Sequence, residues 1–392
     1  MISTLTDTDI EELKNITSNN SLLNHIVNNL SLITNTNLRK HIVNYLYILN
    51  SEKINYLSLC NLTSNGIPNE LKSLRSLIWK ILFRNLSLNN SKWKFDLTIS
   101  RDKYNNYIQQ YIINPKQSKN FLSLKEHPLS LNENSIWHKY FSDINLNKEI
   151  LKDIRRTRTH MEFFLKPFKK QPYNKDNNIY SIQEECVTNA DIMNRILFIY
   201  GKVHPEVNYV QGMNELLAPI FYCYSEDTNE DNCNYVEADV FTSFENLMEE
   251  IKDIFMRSKD KTEQGIEKKM YILEELIKYY DYEIYAKLKK ENIEMHFFAF
   301  KWMTLFFSQD YEIWDILRLW DTIMAQENKF EIVYMLILAI LKIKKEDIFN
   351  NENPGVLMVF QDITDISIDT LLNESKVVKE NLMKKMKVIK IE

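Results

Sequence analysis

Glycine is scarce in this chain, with five residues among 392, and the glycine-built phosphate loops are missing. No GxxxxGKS/T segment is present, which argues against nucleotide binding by this chain in the manner of a P-loop NTPase. GxGxxG, GxSxG and HExxH are absent as well. Any chemistry in which the chain takes part must therefore use polar side chains offered to the active site of another molecule.

Metal ligands and an excess of positive charge are also lacking. The four cysteines form no CxxC pair, and neither they nor the seven histidines show a metal-ligand spacing. We therefore expect reduced thiols in a cytoplasmic protein and no metal site. The net charge of −5 gives no reason to expect nucleic acid as a partner.

Long apolar runs are absent. The longest, at 332–341, is half of the roughly 20 residues that span a bilayer, so we expect a buried helix and no transmembrane segment. The first ten residues are polar and acidic, unlike a signal peptide. No C-terminal lipidation motif is found.

What the chain has in quantity is helical spacing. Hydrophobic residues make up 44% and aromatic residues 12%, enough for a large core and one or two domains. Strand alternation is weak throughout, so the sequence predicts an all-α protein. Predicted helices include 104–113, 192–203, 237–258 and 266–280, with a polar mobile loop at 166–185.

The sequence 209–215, YVQGMNE, lies between the predicted helix 192–203 and an apolar run at 216–224. His204-Pro205 breaks the first helix, and Gly212 lets the backbone turn or approach a partner closely. The Gln211 amide can donate and accept hydrogen bonds, and so could orient a water or cradle a phosphate oxygen. The alternative is that Gln211 caps the following helix.

A second segment of interest is 150–157, ILKDIRRT. Asp153 and Arg156 are three residues apart, so the carboxylate can hold the guanidinium in one pose. Arg155, Arg156 and Arg158 place three cations within four residues. Such a run is either a solvated basic face or an arginine aimed at a phosphate.

Arg75 and Trp79 are four residues apart, on one side of a predicted helix. The guanidinium could lie against the indole, and ordinary packing is the preferred interpretation of this pair.

Three motifs occur in a fixed order: RxxxW at 75–79, IxxDxxR at 150–156 and YxQ at 209–211. GIP lies upstream of them and RLWD downstream. Together they resemble the TBC domain of Rab GTPase-activating proteins, over about residues 61–345. Finer features, among them HPLS, KDIRR, ILFIY, YVQGMNE, EADVF and FFAFKW, resemble one subgroup of that family.

The resemblance implies an all-α TBC domain of two helical subdomains at 61–345. A short helical N-terminal extension would occupy 1–60, and a C-terminal helical tail 346–392. It also implies that Arg156 is an arginine finger and Gln211 a glutamine finger, both entering the nucleotide site of the Rab. Asp153 would orient Arg156. The residues expected to support the fold around them are Tyr209, Arg75 and Trp79.

The same resemblance implies a GTP-bound Rab as partner, with Mg²⁺ and GTP carried by the Rab and no cofactor in this chain. The chain would be an activator and not an enzyme in its own right. Membrane contact would come only through the Rab, at the surface of endomembranes. Residues expected to face the Rab are Arg155, Thr157, Gly212 and Asn214. The alternative is a Rab-binding effector or scaffold without catalytic effect.

Overall fold

The computed structural model of the chain describes residues 13–15, 17, 20–112, 136–168 and 187–389. Regular structure within these ranges is helical, apart from isolated β-bridges at Lys53–Asn89 and Pro167–Thr188. The prediction of an all-α fold is confirmed. The predicted loop at 166–185 lies outside the described residues from position 169 onward, and so does the HPLS segment.

The helices are numbered in chain order. The earlier ones are α1 Ser21–Leu30, α2 Thr36–Asn50, α3 Tyr56–Thr63, α4 Lys72–Leu82, α5 Trp93–Tyr111, α6 Ile136–Ile154, α7 Asn189–Val203, α8 Met213–Ser225, α9 Glu230–Cys233 and α10 Val236–Ile251. The later ones are α11 Ile266–Tyr280, α12 Tyr282–Lys290, α13 Ala299–Leu305, α14 Ile313–Met324, α15 Lys329–Ile343, α16 Lys345–Asn350, α17 Gly355–Gln361 and α18 Ile368–Ile389.

The first of two compact units comprises the described residues up to Asn55 together with Pro68–Glu249. Helix α7 lies at its centre and packs against α5, α6 and α8. Every residue of α8 is buried, and α4 packs against it. Helices that are enclosed on all sides form the core of such a unit, and here they fix where α6 ends and where α8 begins.

Local sequence signals define the ends of α7. Thr188 and Asp191 form a capping box, in which each side chain accepts a hydrogen bond from the other residue's backbone N–H. At the other end, His204 precedes a proline and leaves helical geometry. The helix predicted at 192–203 is therefore confirmed, and the capping box starts it three residues earlier.

The second unit comprises Tyr56–Ile67 and the described residues from Glu250 onward. Helix α15 contains the apolar run 332–341 and packs against α11, α13, α14 and α18. In the aromatic-rich segment, Phe298 stacks on Phe360 at 4.4 Å between ring centroids, and Trp302 is fully buried. Among the residues that the structure describes, no helix is long and apolar enough to cross a membrane.

Gly66 and Ile67 of the GIP motif meet the RLWD motif inside this second unit. Gly66 has φ +99°, and a Cβ there would lie 2.7 Å from Nε of Arg318. The backbone N–H of Ile67 donates to the Asp321 carboxylate at 2.9 Å. Trp320 donates its indole N–H to the carbonyl of Phe306 at 3.1 Å. These two motifs therefore hold the fold together.

Two predicted helices have different bounds in the structure. The helix expected at 104–113 begins at Trp93, and the one expected at 237–258 ends at Ile251, where 3₁₀ turns follow. The division into compact units also differs from the predicted boundaries at 60 and 345. Helices α1 and α2 belong with Pro68–Glu249, whereas the C-terminal helices belong with the segment after Glu250.

Candidate functional site

The segments that carry Arg156 and Gln211 lie at neighbouring helix ends in the first unit. Helix α6 ends at Ile154 and is followed by a turn at 155–160, here called the arginine turn. The loop at 204–212, here called the glutamine loop, leads into α8. Because α6 packs against α8, the structure brings the arginine turn and the glutamine loop together, as the motif order predicts.

Two hydrogen bonds between side chains join the end of α6 and the arginine turn to the glutamine loop and the start of α8. The Tyr209 hydroxyl donates to Oδ2 of Asp153 at 2.7 Å. The Asn214 amide donates to Oγ1 of Thr157 at 2.8 Å. Each bond runs from a residue within three positions of Gln211 to a residue within three positions of Arg156, so the two candidate catalytic residues share one support.

The environment of Tyr209 keeps its hydroxyl protonated, so that it can donate a hydrogen bond. Burial raises the pKa of its hydroxyl, and the hydrogen bond to the Asp153 carboxylate raises it further, well above the ordinary value of 10.0. The hydroxyl therefore stays protonated at physiological pH. The role of Tyr209 in supporting the candidate catalytic residues stays a prediction.

Asp153 contacts Arg156 through the backbone. Its carbonyl accepts the N–H groups of Arg156 at 2.9 Å and of Thr157 at 3.1 Å, and Thr157 Oγ1 donates to the same carbonyl. No ion pair between the Asp153 carboxylate and the Arg156 guanidinium is found within the described ranges. The carboxylate instead accepts a hydrogen bond from Tyr209. This corrects the expectation that it holds the guanidinium directly.

Exposure separates the predicted site residues into two groups. Arg155, Arg156 and Gln211 are exposed. In the part of the chain that the structure covers, the side chains of Arg156 and Gln211 form no hydrogen bond or ion pair. Thr157 and Asn214 are 3% and 4% exposed, which corrects the prediction that their side chains face a partner: they link the two segments from beneath. Gly212 is buried as well.

Gln211 does not cap α8. The N-cap position is Gly212, whose φ is +102°, and no side chain caps this helix end. The alternative interpretation of Gln211 as a helix cap is therefore wrong. The left-handed turn at Gly212 leaves the Gln211 side chain exposed immediately before the helix.

Arg75 and Trp79 lie on α4, which packs against α8. Arg75 is buried and donates a hydrogen bond to Oδ1 of Asn69. Trp79 is fully buried and contacts Phe83 edge-on, with 5.8 Å between ring centroids. Both side chains are packed inside the first unit, in agreement with the preferred packing interpretation.

Two buried ion pairs around the same helices were not predicted from the sequence. Glu237 receives hydrogen bonds from Arg195 and, at 2.6 Å, from the Tyr104 hydroxyl. Asp239 is paired with Lys80 at 2.8 Å and with Arg101. The signal was present in the EADVF segment, where two acids stand among apolar residues, because buried acids of this kind require partners.

No group of three or more residues able to hold a metal ion is present among the described residues. The first unit thus exposes an arginine and a glutamine at neighbouring helix ends. The sequence profile described as Rab-GTPase-TBC domain matches residues 72–349, and the chain belongs to this family.

Similar proteins agree with this membership. TBC1 domain family member 13 of Homo sapiens is 29% identical over 386 residues, which cover 85% of this chain and 96% of that protein. This is the subgroup that the finer motifs resemble. TBC1 domain family member 5 of Homo sapiens is 26% identical over 80% of this chain and 42% of its own length.

Solved structures share the fold. The Ypt/Rab-GAP domain of Gyp1p superposes with a TM-score of 0.67 at 22% identity, covering 88% of this chain and 99% of that chain. The Chlamydomonas flagellar RabGAP TBC domain gives a TM-score of 0.53 at 15% identity, with 96% and 97% covered.

Proposed function

We propose that this chain is a GTPase-activating protein for a Rab-family small GTPase, with Arg156 and Gln211 acting together in the nucleotide site of the Rab. Family membership and the names of the similar proteins support the class of partner. The observation that supports the mechanism is the pair of exposed side chains at two helix ends that side-chain hydrogen bonds hold together.

The chemistry requires these two residue types. Transfer of the γ-phosphoryl group to water spreads negative charge over phosphoryl oxygens, and a guanidinium placed there is worth about 10³ to 10⁵ in rate. Arg156 would supply that charge. The Gln211 amide oxygen would orient the attacking water by accepting a hydrogen bond from it. GTP and Mg²⁺ arrive with the Rab, so this chain needs no nucleotide site.

The side chains of Arg156 and Gln211 can enter the nucleotide site of a Rab without first losing a hydrogen bond or ion pair within the described chain. Because Arg156 has no ion pair among the residues described here, its insertion into a partner breaks no internal bond. The supporting carboxylate of Asp153 is already satisfied by Tyr209, so it does not compete for the guanidinium. The geometry thus keeps both groups available at little energetic cost.

Single-turnover GTP hydrolysis by a panel of Rabs tests the proposal, with wild-type protein and the variants Arg156→Ala and Gln211→Ala. We expect at least one Rab to be stimulated. Arg156→Ala should lower the stimulated rate by at least about 10³-fold, since an arginine finger contributes on that order. Gln211→Ala should lower it by about 10²-fold, since loss of positioning costs on that order. Arg155→Ala is the matched control, because Arg155 is also exposed on the same turn, and it should change the rate less than about tenfold.

Two outcomes would change the assignment. Loss of stimulation in Arg155→Ala with retention in Arg156→Ala would show that the neighbouring arginine enters the Rab. Stimulation of no Rab, with GTP-dependent binding preserved, would replace the activator by the effector or scaffold.

We also infer that the chain regulates membrane traffic and reaches endomembranes through its Rab. A tagged chain should then leave membranes when the Rab is extracted from them, and fractionation of cells measures this. Membrane association that persists after extraction of every stimulated Rab contradicts the inference.

A further inference from the structure

We propose that Asn214 is a positioning residue that couples the arginine turn to the glutamine loop, so that Arg156 and Gln211 reach a partner in a fixed relative position. The inference rests on the proposed function, and it assigns to Asn214 a buried coupling role in place of contact with the Rab.

Both ends of the Asn214 amide have polar neighbours, and its nitrogen donates two hydrogen bonds. Its Nδ2 group donates to Oγ1 of Thr157 at 2.8 Å and to Oε1 of Glu215 at 3.2 Å. Its Oδ1 atom lies 3.2 Å from the Tyr209 hydroxyl. With 4% of its surface exposed, Asn214 makes these bonds away from water, where the loss of a partner is costly.

The surroundings fix the orientation of the amide. Rotating it by 180° would turn Oδ1 towards the Glu215 carboxylate, and two acceptors would then face each other without a hydrogen between them. Aspartate at this position would place a second negative charge beside Glu215. An amide therefore suits the position better than the carboxylate of the same shape.

The position in the chain explains why this amide would control the site. Thr157 directly follows Arg156, and its Oγ1 donates to the Asp153 carbonyl that also accepts the Arg156 N–H. Asn214 lies three residues after Gln211. The bond from Asn214 to Thr157 therefore fixes one point of the arginine turn against the start of α8.

The bond from Tyr209 to Asp153 fixes a second point. One link alone lets two segments pivot about it, whereas two links set their relative orientation. Catalysis by positioned groups is steeply sensitive to such orientation, since a misplacement of 1 Å costs about 10²-fold. Loss of the Asn214 link should consequently reduce turnover more than affinity.

The kinetic test compares Asn214→Ala with wild type in single-turnover hydrolysis by a stimulated Rab. At saturating activator we expect the rate to fall about 10- to 100-fold, while the Kd for the Rab bound to a non-hydrolysable GTP analogue changes less than about threefold. Thr157→Val should behave like Asn214→Ala, and Thr157→Ser, which keeps Oγ1, should retain the rate.

Asn194→Ala is the matched control. Asn194 is also buried, and its amide donates to Oδ1 of Asn147 on α6 at 2.6 Å, so its loss removes a comparable link away from the arginine turn and the glutamine loop. Its stability should fall while the saturating rate per folded molecule stays within about threefold of wild type. An equal loss of rate in both variants would mean general destabilisation and overturn the proposal.

A second measurement keeps the inference separate from the proposed function. Hydrogen–deuterium exchange at residues 155–160 should be at least about tenfold faster in Asn214→Ala than in wild type, with exchange at 189–203 unchanged. Unchanged exchange at 155–160 overturns the coupling whatever the activity. If wild type stimulates no Rab but this exchange increases, the proposed function fails and the coupling stands.

Discussion

Gly212 holds a backbone conformation that side chains with a Cβ rarely adopt, with φ +102° at the N-cap of α8. It is buried directly beside the exposed Gln211. The turn it permits reverses the chain between the glutamine loop and the helix. The position of the Gln211 amide therefore depends on a residue that makes no side-chain contact of its own.

Gly212→Ala should strain this turn by about 1–3 kcal/mol and displace Gln211. We expect a lower free energy of unfolding in urea by that amount and at least about a tenfold loss of stimulated GTP hydrolysis, since small misplacements are costly. Gly355→Ala is the control, because Gly355 begins α17 without a positive φ. Wild-type activity and stability in Gly212→Ala would show that the turn adapts freely.

The candidate catalytic residues could be named from the sequence, but their surroundings could not. Motif spacing selected Arg156 and Gln211, which the structure places on adjoining segments. It gave no means to tell that Thr157 and Asn214 are buried, since residues in a turn face inward or outward according to how α6 and α8 pack. Nor could it show that Asp153 bonds to Tyr209, 56 residues away.

Among the helices of the first unit, α4, α5 and α10 are tied by one buried cluster of charges. Asp239 on α10 is fully buried and bonds to Lys80 of α4 and Arg101 of α5. Burial alone would raise the pKa of Asp239, but the two cations reverse this and hold it below its ordinary value. The carboxylate is thus charged in the folded protein.

Asp239→Asn should destabilise the first unit strongly, because Lys80, which is 1% exposed, would lose its counter-charge. We expect a loss of about 3–5 kcal/mol in the free energy of unfolding at pH 7, measured by urea denaturation. Asp231→Asn, at an exposed position on α9, should change it by less than about 0.5 kcal/mol.

The stability that Asp239 contributes depends on pH because its pKa is lowered in the folded protein. A carboxyl group with a lowered folded-state pKa stabilises the fold above its ordinary pKa, and this contribution is lost as the pH falls through the lowered value. The difference in the free energy of unfolding between wild type and Asp239→Asn should therefore become smaller at acidic pH. A difference that is constant from pH 7 to about pH 3 would contradict the assignment.

Helix bounds were predictable where apolar residues follow helical spacing along one face without interruption. The bounds of α11 match the prediction of 266–280. The start of α5 was missed because Phe95 and Ile99 are exposed, so the first turns of this helix do not show one apolar face. Tertiary packing of Trp93, Leu97 and Tyr104 forms the helix there.

Across the chain, both units bury tyrosines whose hydroxyl groups resist ionisation. Burial is the main cause of a raised pKa in each of them, and the ordinary value is 10.0. They are Tyr104, Tyr200, Tyr209, Tyr224, Tyr311 and Tyr334. A raised pKa favours the neutral form in the folded state, so its stabilising effect is complete below pH 10 and disappears as the pH rises beyond that value.

The protein should therefore unfold cooperatively in alkali. We expect the tyrosinate absorbance of these six buried tyrosines to increase only together with the loss of helical circular dichroism, above about pH 10. Full ionisation near pH 10 with the helices intact would show that the buried hydroxyl groups are accessible.

The free state of Arg156 and Gln211 has a consequence for inheritance. Since neither side chain holds the described fold together, a single codon change at either position should leave a folded chain that still docks on its Rab. Under the proposed function, such a chain would occupy the GTPase without switching it off and would shield it from the intact copy. Alleles of this kind are expected to act dominantly, whereas alleles that break the buried links beneath should behave as recessive losses.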